Sequence, residues 1–382
     1  MTNNVLVLHS SDEAYGSDRM CVEFVRNLVD RGCQVTVGLP DDSEPGWLSA
    51  QLAKTNPSIT ILRLPLAVAR RKSLSPWGLL RWGADAVRAE RALRQVARAH
   101  QVDVLYLNSL ALIAQVLDRR FVPLRILHCH EIATITPLRL VQRMSIHLVD
   151  HVICVSQAVA DAIPSGDVHV CRNGVADLAE APTRAANRPL RVGFVGRLSH
   201  FKGIERFLEV ASLVERDDVE FEVTGGPVPG EQQYLKLVEA ASDTKLVYRG
   251  EIEDTSSVFV GLDVLVVPSA TPDPYPTVVL EALRAGCIVI TTALGGAKEA
   301  FDVDAGFVVD ATDAEEIART IEGLATDRDQ VDRMQLAARE TYESRHRIDA
   351  FDKRFQATLD SCGVPSNESE RCKPDERDQF PT

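Results

Sequence analysis

Residues 264–286, VLVVPSATPDPYPTVVLEALRAG, decide how the chain is read. Val264 to Pro268 is a short apolar, valine-rich run, the pattern of a strand buried on both faces. A polar loop with Pro272, Pro274 and Pro276 follows, and the residues from Thr277 to Ala285 read as a helix stopped by Gly286. Two acids belong to this segment, Asp273 in the loop and Glu281 on the helix, with seven residues between them. A strand ending in a loop at a helix N-terminus offers free backbone N–H groups and the positive end of the helix dipole. The segment is therefore a candidate anion site.

The same rhythm runs outward in both directions. Strands are predicted at Val5–His9, Val35–Leu39, Ile59–Leu64, Val104–Leu107, Arg125–Cys129, Val152–Val155 and Val168–Cys171, separated by helical stretches such as Ser17–Arg31 and Ala84–His100. The pattern lapses over Ala176–Pro189, which reads as a linker. It restarts with strands at Leu190–Val195, Glu220–Thr224, Leu246–Tyr248, Val264–Val267, Ile288–Thr291 and Gly306–Val309. Short apolar strands alternating with helices predict doubly wound parallel sheets, and 382 residues suit two of them facing across a cleft. The expected boundaries are 1–178 and 188–347. The segment from Gly363 to Thr382, polar with little to bury, is expected to be a disordered tail.

Composition narrows the class. Hydrophobic residues at 45% and charged residues at 25% fit a globular enzyme. No apolar run approaches about eighteen residues, so no spanning helix is predicted. The opening MTNNVLVLHSSDEAYG has no basic region before its apolar run, which predicts no secretory leader and a cytoplasmic protein. The eight cysteines are scattered without CxxC spacing and read as buried reduced thiols, with no metal site indicated. A net charge of −13 argues against nucleic acid as a partner.

Several loops gather at the carboxyl edges of the predicted sheets, where open α/β sheets bind ligands. In Ser10–Ser17 (SSDEAYGS), Gly16 permits a tight turn into a helix, but GxGxxG is absent and a dinucleotide cofactor is not supported. His128 and His130 fall on one side of their strand, with His130 at its carboxyl end. In the second half, Gly196 ends a strand, Arg197 and Lys202 follow, and Gly203 admits a helix. A planar fork and a mobile point charge at a helix entry suit a diphosphate. Gly225–Gly226, Arg249–Gly250–Glu251–Ile252 and Gly295–Gly296 with Glu299 lie on the same edge. Residues 70–98 carry seven Arg and one Lys against Asp85 and Glu90, a local net of +6, with Trp77 and Trp82 just before the most basic helix. That combination fits either an anionic membrane surface or an ordinary solvated helix face.

Taken together, Val195–Leu198 through Lys202–Gly203, Tyr248–Gly250, Pro268–Ser269, Asp273 through Glu281–Gly286 and Gly295–Gly296 with Glu299 resemble the retaining GT-B glycosyltransferases of the GT4 type, the glycosyl transferases group 1. In the first half, Tyr15–Arg19, His130–Glu131, Val155–Ser156 and Arg172–Gly174 resemble the same family. The resemblance implies a GT-B fold, two Rossmann-like domains, with a last helix at about 348–362 packed back on the first. It implies a UDP- or GDP-linked sugar as co-substrate, no other cofactor and no metal. Arg197, Lys202, Asp273 and His130 would be the catalytic group. Gly16, Gly196, Arg249, Ile252, Tyr275, Thr277, Val278 and Glu281 would bind the nucleotide sugar, with Glu281 on the ribose hydroxyls. The sequence departs from the family at Asp273, usually Glu, and at Tyr275–Pro276, commonly Phe-Gly, so its donor sugar is open.

The implied reaction moves a sugar from a nucleotide diphosphate to an acceptor hydroxyl, a saccharide or lipid-linked molecule, in polysaccharide, glycolipid or other glycoconjugate synthesis. The enzyme would be peripheral to the inner face of a membrane if residues 70–98 bind it. Two alternatives stay open: a nucleotide-sugar epimerase of the same fold, and a non-catalytic nucleotide-sugar-binding protein.

Overall fold

The computed structural model describes residues 3–366 apart from 43, 70–75, 134–138, 140–141, 144–145, 164–165, 179–187, 229, 243–244, 253 and 311–312. Two parallel sheets form. The first runs β3-β2-β1-β4-β5-β6-β7 and the second β10-β9-β8-β11-β12-β13. Their strands are β1 Asn4–His9, β2 Gln34–Pro40, β3 Thr60–Leu64, β4 Val104–Asn108, β5 Leu124–Cys129, β6 His151–Cys154 and β7 Val168–Val170, then β8 Leu190–Val195, β9 Val219–Thr224, β10 Leu246–Gly250, β11 Val264–Val267, β12 Ile288–Thr292 and β13 Gly306–Val309. All the predicted strands are present, with ends displaced by one or two residues. The central strands β1, β4 and β11 are buried almost throughout, as sheets covered on both faces require. Each order reverses beside its first strand, at β1/β4 and at β8/β11, so each sheet has a ligand crevice at the carboxyl ends of those strands.

The helices are α1 Gly16–Asp30, α2 Trp47–Thr55, α3 Pro76–Ala99, α4 Gln157–Asp161, α5 Ile204–Leu213, α6 Gln232–Ala241, α7 Ser256–Gly261, α8 Thr277–Arg284, α9 Ala314–Thr326, α10 Arg328–Arg345 and α11 Ile348–Ser361. α3 begins eight residues before the predicted Ala84, so Trp77 and Trp82 lie inside the helix rather than ahead of it. Pro76 supplies the reason: at a first helical position its fixed φ is favourable and its missing N–H costs nothing. α11 returns to the first domain, burying Phe351, Phe355 and Leu359 in one cluster with Val5, Phe24 and Val104. Arg26 pairs with Asp352 at 2.6 Å, and Arg31 pairs with Asp360 and donates to the Val364 carbonyl. Val364 is buried. The chain just past Gly363 is therefore packed, which corrects the expectation that the tail starts there; residues 367–382 lie outside those described, as do 179–187 of the linker.

Three histidines of this framework have lowered pKa values. Burial pushes His346 down to about 4, against a hydrogen bond to the Ala300 carbonyl and with help from Arg354 and Arg345. Burial and the charge of His9 push His130 down to about 3, and burial with His130 beside it holds His128 well below the ordinary range. In the unfolded chain each takes up a proton near pH ~6.5. Below that pH the unfolded state holds more protons, so stability falls with pH by up to about 1.4 kcal/mol per unit for each histidine. The urea midpoint is therefore expected to be lower at about pH 5 than at about pH 7, before the carboxylates protonate. An unchanged midpoint over that interval contradicts the buried neutral assignment.

Candidate active site

The two crevices face each other and enclose a cleft of about 580 Å³, lined from both domains. The first domain contributes His9, Gly16, Asn108, His130, Glu131 and Asn173. The second contributes Gly196, Arg197, Lys202, Asp273, Tyr275, Thr277 and Val278.

At its centre two helix N-termini meet. Gly16 opens α1 and Thr277 opens α8, and neither helix has a side-chain cap at that end. A Cβ on Gly16 would stand 2.9 Å from Thr277 Oγ1, so glycine here permits the two termini to touch. Uncapped N–H groups and two dipoles thus point into one space. Arg197 lies over the Tyr15 ring at 4.8 Å and has no carboxylate partner among the described residues. Lys202 Nζ is 2.6 Å from Asp273 Oδ2. It is placed by a single 3-10 turn, His200–Lys202, whose cap Ser199 accepts from the Lys202 N–H and whose next residue, Gly203, has φ 75°. A Cβ at Gly203 would fall 1.8 Å from the Pro268 carbonyl oxygen, so the turn closes onto β11 only because that residue is glycine.

Asp273 is buried and its main chain is fixed by the glycine pair that follows β12. It bridges to Gly295, and its carbonyl accepts from the Gly296 N–H at 2.8 Å. A Cβ on Gly295 (φ 77°) would meet the Asp273 carbonyl oxygen at 2.2 Å, and one on Gly296 would meet the Pro274 carbonyl oxygen at 2.0 Å. The next link crosses the cleft: Ser156 Oγ donates to the Pro274 carbonyl at 2.6 Å. Beside it Glu299 accepts from the Gln157 and Ala158 N–H groups at 2.9 and 2.7 Å, capping α4 of the other domain, and pairs with Arg172 at 2.9 Å.

From the first domain, His130 packs against His128 with ring centroids 4.2 Å apart and the rings tilted by 37°, and its Nε2 is buried without a hydrogen-bond partner among the described residues. Below the Gly16 loop, His9 Nε2 is 3.1 Å from Asp18 Oδ1 and its Nδ1 is 2.8 Å from the Asn108 amide. Burial works against a charged His9, yet the Cys21 and Asp18 side chains outweigh it and lift its pKa to about 10. Burial raises Asp18, but its bonds to His9, Ser11 and the Glu13 N–H hold it below the usual range. Burial raises the Glu131 carboxyl against hydrogen bonds from Ser109, Leu110 and His130.

Of the residues singled out in the sequence, Arg197, Lys202, Asp273, His130, Gly16, Gly196, Tyr275, Thr277 and Val278 line the cleft. Glu281, Arg249 and Ile252 do not. Glu281 lies one turn along α8 and accepts from Thr255 Oγ1 at 2.7 Å. Arg249 is 3.1 Å from Glu222, and Ile252 packs against the core. The Tyr275 ring is turned inward toward His346, with a buried hydroxyl that finds no partner. Sequence reading missed His9, Asn108 and Asn173 as cleft residues. The His9–Ser10 pair ending β1 carried one signal, because the terminal residue of a first strand in such sheets abuts the crevice, and Asn173 lay inside the Arg172–Gly174 motif without being singled out.

Two parallel α/β domains facing across such a cleft form the GT-B architecture. Residues 189–327 match the glycosyl transferases group 1 family and residues 15–177 match glycosyltransferase family 4. The chain belongs to this group of GT-B glycosyltransferases, GT4 type. Among curated relatives, it is 30% identical over 187 residues to a D-inositol 3-phosphate glycosyltransferase of Corynebacterium urealyticum, covering 45% of this chain and 44% of that one. It is 28% identical over 333 residues to the 2-deoxystreptamine N-acetyl-D-glucosaminyltransferase of Streptomyces fradiae, covering 75% and 77%. The chain thus spans less than half of the first relative. The fold matches that of Anabaena Alr3699/HepE in complex with UDP-glucose, with TM-score 0.76, 21% identity, and coverage of 94% of this chain and 99% of that one. It also matches the Thermosynechococcus elongatus sucrose-phosphate synthase, with TM-score 0.77, 17% identity, and coverage of 95% and 99%.

The glycine pair at 295–296 generates a direct test. Gly295→Ala combines a left-handed φ with a 2.2 Å clash against the Asp273 main chain. It is expected to cost about 1–3 kcal/mol in urea unfolding. Gly323→Ala, where a Cβ meets nothing and the residue is helical, is expected to leave stability equal or raised. Equal costs at the two positions would contradict the close approach.

Proposed function

We propose that this protein is a retaining glycosyltransferase that moves a sugar from a UDP- or GDP-linked donor to an acceptor hydroxyl. The observation that carries the reading is the meeting of the α1 and α8 N-termini at Gly16 and Thr277, with Arg197 and Lys202 beside them. Four sources of positive potential on one cleft suit a diphosphate. In the transfer, the bond from the sugar C1 to the phosphate oxygen breaks and a bond from the acceptor oxygen to C1 forms. The acceptor proton passes to the departing phosphate oxygen on the same face, which keeps the anomeric configuration. Negative charge grows on the leaving diphosphate, where Arg197, Lys202 and the N–H groups at Thr277 and Val278 stabilise it. Neutralisation by these groups makes a catalytic metal unnecessary.

Asp273 accepts hydrogen bonds from the donor-sugar hydroxyls and, through its ion pair, holds Lys202 in place. His130 is kept neutral, so it approaches the sugar from the first domain as a hydrogen-bonding group and not as a cation. Gly196 leaves backbone room beside the phosphates. Glu281 with Arg249 and Ile252 forms the nucleoside end outside the main cleft, the Glu281 carboxylate exchanging Thr255 for the ribose hydroxyls. Tyr275 contributes its main chain, since its ring is inward.

The acceptor is proposed to be lipid-linked and reached at an anionic membrane surface, in polysaccharide or glycolipid synthesis. Trp77, Arg81, Arg88 and Arg91 of α3 are exposed, and at 100° per residue they fall within about 80° on one helix face. Arg94 and Arg98 do not join them in full, because each stacks on Phe121. Arg70, Arg71 and Lys72 lie outside the described residues. No helix among those described is long and apolar enough to cross a membrane.

Three experiments test these readings. Lys202→Ala is expected to lower turnover by roughly 10²–10³ with an unchanged circular dichroism spectrum; turnover near that of the parent protein defeats the phosphate assignment. Nucleotide release from UDP- and GDP-sugars with product formation separates a transferase from a binding protein, and sugar interconversion without nucleotide release would mark an epimerase. On vesicles with anionic lipid, the parent protein is expected to co-sediment at low salt, and the Trp77→Ala/Arg81→Ala/Arg88→Ala variant to remain in the supernatant. Equal behaviour of the two would refute the membrane face.

A further inference from the structure

We propose that His151, His169 and Cys362, together with the Asp167 carboxylate, bind one structural zinc ion that fastens the end of α11 to the edge of the first sheet. The site is on the opposite side of that sheet from the cleft. β6 enters at His151 and delivers Ser156 to the cleft at its other end. β7 is the edge strand, paired in parallel with β6 through Val152↔Val168 and Ile153↔His169. This register brings His169 beside His151, with ring centroids 5.6 Å apart. Asp167, just ahead of β7, touches both imidazoles: its Oδ2 is 2.8 Å from His151 Nδ1 and its Oδ1 is 3.4 Å from His169 Nε2. Cys362 caps the C-terminus of α11 and is fully buried.

One donor atom from each of His151, His169 and Cys362 lies within 4.8 Å of the other two. Around a tetrahedral zinc, with Zn–N near 2.0–2.1 Å and Zn–S near 2.3 Å, donor atoms stand roughly 3.3–3.8 Å apart. Closing the remaining ångström takes side-chain rotation at an edge strand and a helix end, not a change of fold. His169 Nε2 is buried without a hydrogen-bond partner, which costs free energy as it stands and is relieved by a metal bond. The bland alternative is a surface His–Asp pair over a core thiol. It accounts for both Asp167 contacts but leaves His169 Nε2, 3.4 Å from Asp167 Oδ1, without a well-formed hydrogen bond beside a thiol.

The donor set selects the ion. Two imidazoles, a thiolate and one carboxylate suit borderline zinc and not magnesium or calcium, which take oxygen. His151, His169 and Cys362 bring three donors together, and Asp167, which contacts both imidazoles, would close the fourth position and make the ion structural. Binding exchanges the thiol proton for the metal: the S–H bond breaks, an S–Zn bond forms and one proton leaves to solvent. The sequence spacing hides the set, because residues 151, 167, 169 and 362 match no local zinc motif.

The test uses the full chain without a histidine tag, stripped with a chelator and dialysed into metal-free buffer. Zinc alone is titrated in competition with a chromophoric chelator. One equivalent is expected, with release of a proton and a raised melting temperature. Cobalt in place of zinc is expected to show a thiolate-to-metal charge-transfer band, absent in Cys362→Ser. His169→Gln is expected to weaken zinc binding by more than the roughly 10–100-fold typical of outer-shell losses, while His100→Gln leaves it unchanged. Should Cys362→Ser fail to fold, His169→Gln decides alone, since it lies at a partly exposed edge position. Failure of the parent protein to take up one equivalent, or equal affinity in His169→Gln, overturns the site.

Discussion

Everything at the cleft depends on how closely the main chain can approach itself around Asp273. Gly295 and Gly296 come within contact of the Asp273–Pro274 backbone, and no side chain fits between them. That crowding fixes the Asp273 carboxylate, and the carboxylate in turn fixes Lys202. It also aims the Pro274 carbonyl across the cleft at Ser156. One patch of close-packed backbone therefore sets both the position of a cation and the spacing of the two domains. Glu299 adds the second fastening, because the same turn that carries the glycines brings a carboxylate onto the N-terminus of α4, where an anion is favoured.

The electrostatics of the cleft run against those of the protein. The chain carries a net charge of −13, yet the cleft offers Arg197, without a carboxylate partner among the described residues, and two uncapped helix N-termini. The acids there are committed: Asp273 to Lys202 and Asp18 to His9, while burial raises the Glu131 carboxyl. A low-dielectric cleft with an excess of donors focuses field lines on an anion, even when the outer surface is acidic. The Asn108 amide fits this picture. Its Oδ1 is buried without a partner while Nδ2 faces His9 Nδ1. Exchanging the two amide atoms places the oxygen on an N–H of a protonated His9, which agrees with the imidazolium that the Asp18 pair favours, and leaves Nδ2 in the unpartnered position.

The sheets were legible in the sequence because strands buried on both faces must be apolar and must end at turns. Val264–Val267 and Ile288–Thr292 could hardly be read otherwise. Glycines at strand ends were legible as places of close approach, but not what approached them: the partner of Gly16 is Thr277, some 260 residues away. The start of α3 was misread since Gly78 and Gly83 resemble punctuation, whereas a long helix packed on its own domain tolerates them at a modest cost. Glu299 and Ser156 read as members of ordinary βα turns. Their roles come from facing another domain, a relation with no spacing in the chain.

The inward turn of Tyr275 shows how a local substitution is absorbed. Tyr275–Pro276 is where the sequence departs from the Phe-Gly expected from its family resemblance. A larger ring with a hydroxyl could have projected into the cleft. Instead the ring packs toward His346, and burial pushes its phenol well up despite Arg172 and Arg354 nearby. Pro276 precedes the first residue of α8 and removes an N–H that the helix N-terminus would have offered, while holding φ at −69°. The loop thus loses one anion-binding donor and gains rigidity at the entry to α8. With Asp273 buried and paired to Lys202, this wall of the cleft is stiff.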